Sequence, residues 1–252
     1  QILMPYRLAT PQGENILLKT DSDSRIIVRE AMKEGYLCLS SLGRLIKKER
    51  NMPKLIAVSG GTCAGKTSLC LSLSEALNRP STILHFHDYY KDESQIPEAE
   101  RALINYGSPE SLDVTLFLEH LKTLKQGYPV EKPRFDLPSH TRLNVTEHFE
   151  PQEVILVEGS LTLLLPKECF DFCVYVEADD DTRLARRIHR EVTERGHELE
   201  TVLHEYFASL KANYQKYVVP SKNKADFVFL NNGKSGIDEE QIAALVAHID
   251  RL

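Results

Sequence analysis

The chain has 252 residues, 42% of them hydrophobic and 27% charged, with 31 basic against 37 acidic side chains and a formal net charge of −6. That is enough for one α/β domain with an appendage. The acidic balance argues against broad, nonspecific nucleic-acid binding, and no apolar run reaches the length needed to cross a bilayer.

Residues 1–51 differ in character from the rest. The stretch Gln1 to Arg7 lacks the charged beginning and long apolar run of a secretory signal. The five cysteines, Cys38, Cys63, Cys70, Cys169 and Cys173, form no C-x-x-C pair, and their odd number fits reduced thiols. Both features point to a cytoplasmic protein. A turn cluster from Thr10 to Asn15 leads into a short predicted strand, Asn15 to Lys19. Predicted helices follow at Ser24–Glu34 and Leu39–Arg50, the second with Leu42, Leu45 and Ile46 on one face. The pair reads better as a packing or dimerisation appendage than as a DNA-binding helix-turn-helix, which leaves room for a homo-oligomer. Asn51-Met52-Pro53 makes a break, so the expected division is an extension of unassigned role over 1–51 and a main domain over 52–252.

From Pro53 on, strands and helices alternate. Leu55–Val58 is an apolar strand, followed by Gly60-Gly61-Thr62-Cys63-Ala64-Gly65-Lys66-Thr67, a complete G-x-x-x-x-G-K-[ST] loop, and then by apolar residues at helical spacing from Ser68 to Leu77. Strand, glycine loop and helix start together make an anion cradle, with backbone N–H groups and the positive end of the helix dipole aimed at phosphates. Residues Gly60 to Ser68 are the expected triphosphate site. Lys66 reaches the β and γ oxygens, and the Thr67 hydroxyl holds Mg²⁺. Cys63 reads as a small neutral loop residue rather than a reactive thiolate.

A second strand, Ser81–Phe86, runs into His85-Phe86-His87-Asp88-Tyr89-Tyr90-Lys91. His87 and Asp88 both qualify by type as the base that takes a proton from an attacking hydroxyl, and the aromatic pair suits either ring stacking or the core. Val114–Leu124 is a helix ending near Gly127. Lys132 to Arg142 reads as two Pro-stiffened turns, a surface loop able to wall an acceptor pocket. The third strand, Glu153–Val157, leads into Glu158, a carboxylate placed to hold Mg²⁺ beside Thr67. Phe172–Val176 is the fourth strand. Thr182–Thr193 is a cationic helix on which Arg183, Arg187 and Arg190 share a face by i, i+4, i+7 spacing. With Arg186 and Arg195 it suits a lid that clamps polyphosphate. A long amphipathic helix (Leu199–Tyr217), a fifth strand (Ala225–Leu230) and a closing helix (Asp238–Leu252) complete the chain. The expected fold is a three-layer α/β/α P-loop domain around a five-stranded parallel sheet, with ligands outside the carboxyl ends of the strands.

Several motifs occur together: Ser59 to Thr67, Tyr90-Lys91, Ser108-Pro109-Glu110-Ser111-Leu112-Asp113, Arg134-Phe135-Asp136 through Ser139-His140-Thr141-Arg142, and Glu158-Gly159. To these add Asp181 through Arg190 with Glu194-Arg195-Gly196, then Pro220-Ser221-Lys222 with Ala225-Asp226. On this set the chain from Pro53 to about Asn231 resembles the uridine kinases (uridine–cytidine kinases) within the phosphoribulokinase/uridine kinase group of P-loop kinases. The resemblance implies an ATP-dependent kinase, with Mg²⁺, acting on the 5′-hydroxyl of a nucleoside, uridine or cytidine favoured. It implies that Arg187, Arg190 and Arg195 grip phosphates or acceptor from the lid, with Arg190 also catalytic, and that Tyr90, Phe135 and His140 line the nucleoside pocket. Four positions depart from the family pattern. Phe135 stands for a Tyr; His87 occupies the place of the catalytic Asp, with Asp88 one residue later; Gly107 replaces an Asp that holds the ribose hydroxyls; and His197 replaces an acceptor-side Arg. Two alternatives therefore stay open. One is a kinase for another riboside or small alcohol, since Lys91–Pro97 is similar to nicotinamide riboside kinases. The other is a nucleotide-binding regulatory protein with little or no turnover.

Overall fold

In the computed structural model the described residues are 6–9, 15–18, 52–101, 104–137, 139–233 and 237–252. The chain forms two compact units, 1–51 and 52–252. In the first, β1 (Tyr6–Ala9) pairs antiparallel with β2 (Asn15–Leu18), Tyr6 opposite Leu18 and Ala9 opposite Asn15. β2 lies where a strand is predicted, whereas β1 adds a partner that four residues of mixed character do not announce. The two helices predicted for this unit fall outside the described residues.

The second unit is built on five parallel strands, β3 (Lys54–Gly60), β4 (Ser81–His85), β7 (Val154–Glu158), β8 (Phe172–Glu177) and β9 (Phe227–Leu230), in the order β4-β7-β3-β8-β9. Its principal helices are α1 (Lys66–Ala76), α2 (Val114–Lys125), α3 (Asp180–His189), α4 (Leu199–Glu205) and α5 (Glu239–Ile249). The central strands are unbroken buried apolar runs because helices cover both faces of the sheet. Alternate residues feed two cores. Leu55, Ala57, Ile155, Val157 and Tyr175 pack with Phe86, Tyr89 and the α2 residues Phe117, Leu121 and Leu124. Ile56, Val58, Leu156, Val174 and Val176 pack with Leu69 and Leu73 of α1 and with Ile242, Leu245 and Ile249 of α5. Among the described residues no helix is long and apolar enough to cross a membrane.

Three segments differ from their predicted form. Lys132 to Arg142 is not a loop of turns: it belongs to an antiparallel hairpin of β5 (Val130–Asp136) and β6 (Thr141–Phe149), Val130 opposite Phe149, with a bulge between Pro133 and Phe135. In a two-stranded ribbon both strands are edges, which is where a sheet tolerates proline. The cationic helix keeps α-helical form only to His189; Arg190–Glu194 is a π-turn closed by the Arg195 N–H donating to the Arg190 carbonyl at 3.2 Å. The long helix starts as α4 but widens into π-turns at Tyr206–Leu210 and Tyr214–Val218, and the helical run ends at Ser221. A hydrophobic period of 3.6 cannot register turns that hold one extra residue, a feature that gathers at functional sites.

Candidate active site

The glycine loop leaves β3 in a conformation that side chains oppose. Gly60 has φ +146°, and a Cβ there would lie 2.3 Å from the Val176 carbonyl oxygen. Gly65 has φ +97°, and its Cβ would meet the Asn231 amide nitrogen at 2.1 Å. That amide donates to the Ala64 carbonyl at 2.8 Å, so Asn231, just past β9, ties the loop to the sheet. The Gly61 carbonyl accepts from Ala64 N–H at 3.1 Å and from Lys66 Nζ at 3.0 Å. Lys66 opens α1 and is buried; burial lowers its pKa and the nearby Glu158 charge raises it, the first prevailing. A buried ammonium, loop amides and a helix start thus converge on one spot suited to phosphate.

Strand register brings the next groups there. His85 ends β4 directly opposite Glu158, which ends β7. His85 Nδ1 and Glu158 Oε2 are 2.9 Å apart. Burial pushes the Glu158 pKa up, but the His85 hydrogen bond and the Lys66 charge outweigh it and hold the carboxyl at about 2. The same hydrogen bond raises the His85 pKa against its burial. His87 goes the other way: burial lowers its pKa, and the Asp88 charge opposes this only in part. His87 lines the same cleft as the glycine loop. Asp88 does not; it is held by Lys132 Nζ at 2.7 Å and lines a separate hollow with Lys132, Phe135 and Glu147. Of the two candidate bases, only His87 faces the phosphate loop.

Another wall of the cleft is aromatic. The Tyr90 ring lies 5.0 Å from Phe135 and 5.1 Å from Tyr106, and Tyr106 stacks on His140 at 4.8 Å. Tyr90 and His140 line the cleft, while Phe135 backs Tyr90 from the hollow behind. Gly107 is closed over by Asn213: a Cβ at 107 would lie 2.6 Å from the Asn213 amide nitrogen, and Asn213 pairs reciprocally with Asn105. Tyr106, Asn105 and Asn213 all line the cleft. Neither Tyr106 nor Asn213 is singled out by sequence reasoning; an aromatic beside the departing Gly107 is the signal that could have found Tyr106, whereas Asn213 lies on a helix that reads as plainly amphipathic and carries none.

The arginines divide. Arg183 is not part of a shared open face; it is 2% exposed, lies 3.8 Å from the centre of the Tyr214 ring, donates to the Ala178 carbonyl at 3.2 Å and pairs with Asp180. Arg183 shares the helix with Arg187 and Arg190, but Tyr214, the Ala178 carbonyl and Asp180 take its guanidinium and keep it from the cleft. Arg187, Arg190 and Arg195 do line the cleft, as does Arg186. Arg187, Arg190 and Arg195, without Arg186, converge on Glu191, 3% exposed, which receives Arg190 at 2.7 Å, Arg195 at 3.2 Å, His197 at 3.4 Å and Arg187 at 3.7 Å. Burial pushes the Glu191 pKa up, and the Arg190 hydrogen bond and the arginine charges more than reverse this. Glu191→Gln is expected to cost on the order of 1–3 kcal/mol, reduced from the buried-pair range because its partners are partly exposed. Urea unfolding checks this, and an unchanged midpoint would deny Glu191 a clamping role.

Lys66, Thr67, His87, Tyr90, His140, Glu158, Arg187, Arg190 and Arg195 line one cleft of about 1560 Å³ at the carboxyl end of the sheet. Of the glycine-loop residues, Thr62, Cys63, Gly65, Lys66, Thr67 and Ser68 line it, while Gly60, Gly61 and Ala64 are buried and shape the turn from beneath.

A model of the Phosphoribulokinase / Uridine kinase family matches residues 55–237. A uridine kinase of Oceanobacillus iheyensis is 36% identical over 203 residues, covering 79% of this chain and 97% of the relative. One from Streptococcus equi subsp. zooepidemicus is 40% identical over 179 residues, covering 70% and 86%. Among solved structures, D-glycerate 3-kinase from Cryptococcus neoformans superposes with a TM-score of 0.55 at 16% identity, covering 84% of this chain and 97% of that one. Phosphoribulokinase from Rhodobacter spheroides gives 0.54 at 12%, covering 71% and 70%. At such identities these two speak to the fold alone.

Proposed function

The chain belongs to the phosphoribulokinase / uridine kinase family, and on that premise we propose that this ATP-dependent nucleoside kinase phosphorylates the 5′-hydroxyl of uridine or cytidine, with His87 as its general base. The observation that carries this reading is the shared cleft: a buried lysine in an intact phosphate cradle shares it with the His87 imidazole and with a wall of rings, Tyr90, Tyr106 and His140. Lys66 and the loop amides bind the triphosphate, and Arg190 and Arg195 reach it from the start and the end of the π-turn that follows α3. Thr67 offers an exposed hydroxyl and Glu158 an ionised carboxylate, an oxygen pair that fits Mg²⁺. When bound, Mg²⁺ neutralises charge on the β and γ oxygens. His87 is neutral near pH 7 and accepts the acceptor's hydroxyl proton on a ring nitrogen. Tyr90 and His140 flank the base of the nucleoside, Phe135 stiffens Tyr90 from behind, and Arg187 contacts the acceptor side. Asn213 takes the space that a side chain at Gly107 would fill and supplies an amide in place of a carboxylate.

The test is ADP release with Mg-ATP against a panel of nucleosides, other ribosides and small alcohols. ADP is expected only when an acceptor is present, and most rapidly with uridine or cytidine. The amide at Asn213 favours a second reading, another riboside, and preferential turnover of such a compound would replace the acceptor proposed here. ATP-dependent thermal stabilisation with no ADP from any acceptor would replace the kinase by a nucleotide-binding regulator; saturation at about 100 times Kd is worth roughly 2.7 kcal/mol.

A further inference from the structure

His85 has no part in phosphoryl transfer as described, yet it forms a group with His87 and Glu158. The three offer two imidazole nitrogens and one carboxylate oxygen, all within 4.8 Å of one another. The sheet enforces the arrangement. His85 and Glu158 are in register at the ends of neighbouring strands, and the chain folds over after β4 so that the His87 ring centre lies 4.9 Å from that of His85. Among the described residues His85 is the one side-chain hydrogen-bond partner of Glu158, and Lys66 directs its ammonium to the Gly61 carbonyl. The group is therefore not sealed by a lysine ion pair, and its His87 side opens to the cleft.

We propose that His85, His87 and Glu158 bind a late first-row divalent cation of the zinc or cobalt class. Two imidazoles with one carboxylate suit such ions, whereas Mg²⁺ is bound through oxygen and keeps most of its water. Metal–nitrogen bonds of about 2.0–2.1 Å place tetrahedral ligand atoms roughly 3.4 Å apart. The group must then contract by about 1.4 Å from its widest spacing, a movement that side-chain rotation at the partly exposed His87 can supply. The ion takes the place of the proton held between His85 Nδ1 and Glu158 Oε2, that proton leaves to solvent, and water from the cleft fills the remaining coordination. Because the ion also occupies His87 and Glu158, it blocks phosphoryl transfer; this consequence, unlike binding, rests on the kinase roles proposed above.

The experiment is a Co²⁺ titration of the full chain without nucleotide, read by visible ligand-field absorption, with Mg²⁺ in about 100-fold excess. One Co²⁺ per chain is expected, displaced by Zn²⁺ and not by Mg²⁺. His85→Phe and His87→Phe should each weaken binding by about a hundredfold or more, while His148→Ala, which removes an exposed imidazole on β6, should leave it unchanged. Thermal melts verify that each variant folds; should His85→Phe not fold, His87→Phe decides alone, since its side chain lies at the cleft. Co²⁺ binding that survives the histidine substitutions, or that Mg²⁺ reverses at equal concentration, overturns the site. In a separate arm, Zn²⁺ at saturating level should stop ADP release, and unchanged turnover with Zn²⁺ bound overturns the inhibitory consequence. A chain that releases no ADP with any acceptor refutes the kinase reading, and the Co²⁺ spectra still decide the metal site.

Discussion

Lys66→Ala is expected to lower kcat/KM by about a thousandfold or more while leaving the fold intact. Loss of one preorganised donor to developing transition-state charge typically costs 10²–10³ in rate, and here the donor is a full cation buried in the phosphate cradle. The structural price is small. The Gly61 carbonyl keeps the Ala64 N–H at 3.1 Å after the lysine bond is lost, and Glu158 keeps His85. Burial already disfavours the Lys66 charge, so its removal relieves a desolvation cost. A melting temperature equal to or above that of the parent, together with collapsed turnover in a coupled ADP assay, is the expected pair of results. Turnover within tenfold of the parent would remove the phosphate role of the loop.

The second large effect separates two neighbours. His87→Ala is expected to reduce kcat by about a hundredfold or more, the usual contribution of a general base, with KM for ATP little changed. Asp88→Asn is expected to act on stability instead. Its carboxylate sits 2.7 Å from Lys132, whose side chain is 8% exposed, and removing one partner of a buried pair costs about 3–5 kcal/mol. Glu147, at 3.1 Å from the same ammonium, softens the loss. Steady-state kinetics and urea unfolding on both variants distinguish the outcomes. A kcat collapse in Asp88→Asn with His87→Ala unaffected would transfer the base to Asp88.

The sequence makes some parts of this site plain and hides others, for physical reasons. The phosphate loop is legible because its constraints are local: Gly60 and Gly65 answer backbone angles and close approaches within one turn, and Lys66 and Thr67 follow at fixed offsets. The parallel sheet is legible because strands buried on both faces are unbroken apolar runs. The hairpin over Lys132 to Arg142 is not, because polar strands on an isolated ribbon carry no strong alternation and Pro133 imitates a turn. Which of His87 and Asp88 faces the cleft depends on Lys132, some 44 positions away in the chain, and no spacing rule reaches that far. The separation of Arg183 from the other arginines depends likewise on Tyr214, a distant ring beneath it. Asn213 and Asn231 act through single long-range contacts and have no motif of their own.

Two cations on the β5–β6 ribbon grip the turn that follows β4. Lys132 holds Asp88, while Arg142 donates from Nε to the Tyr90 carbonyl at 2.8 Å and from Nη1 to Asp113 at 3.3 Å. The segment carrying His87, the proposed proton acceptor, and the ring wall are consequently mounted on one chassis. Attempts to redirect this protein to a new alcohol have a free hand with the side chains of Tyr106, Phe135 and His140. Transplanting a foreign ribbon that lacks either cation would instead set the imidazole adrift, and chemistry would be lost along with selectivity.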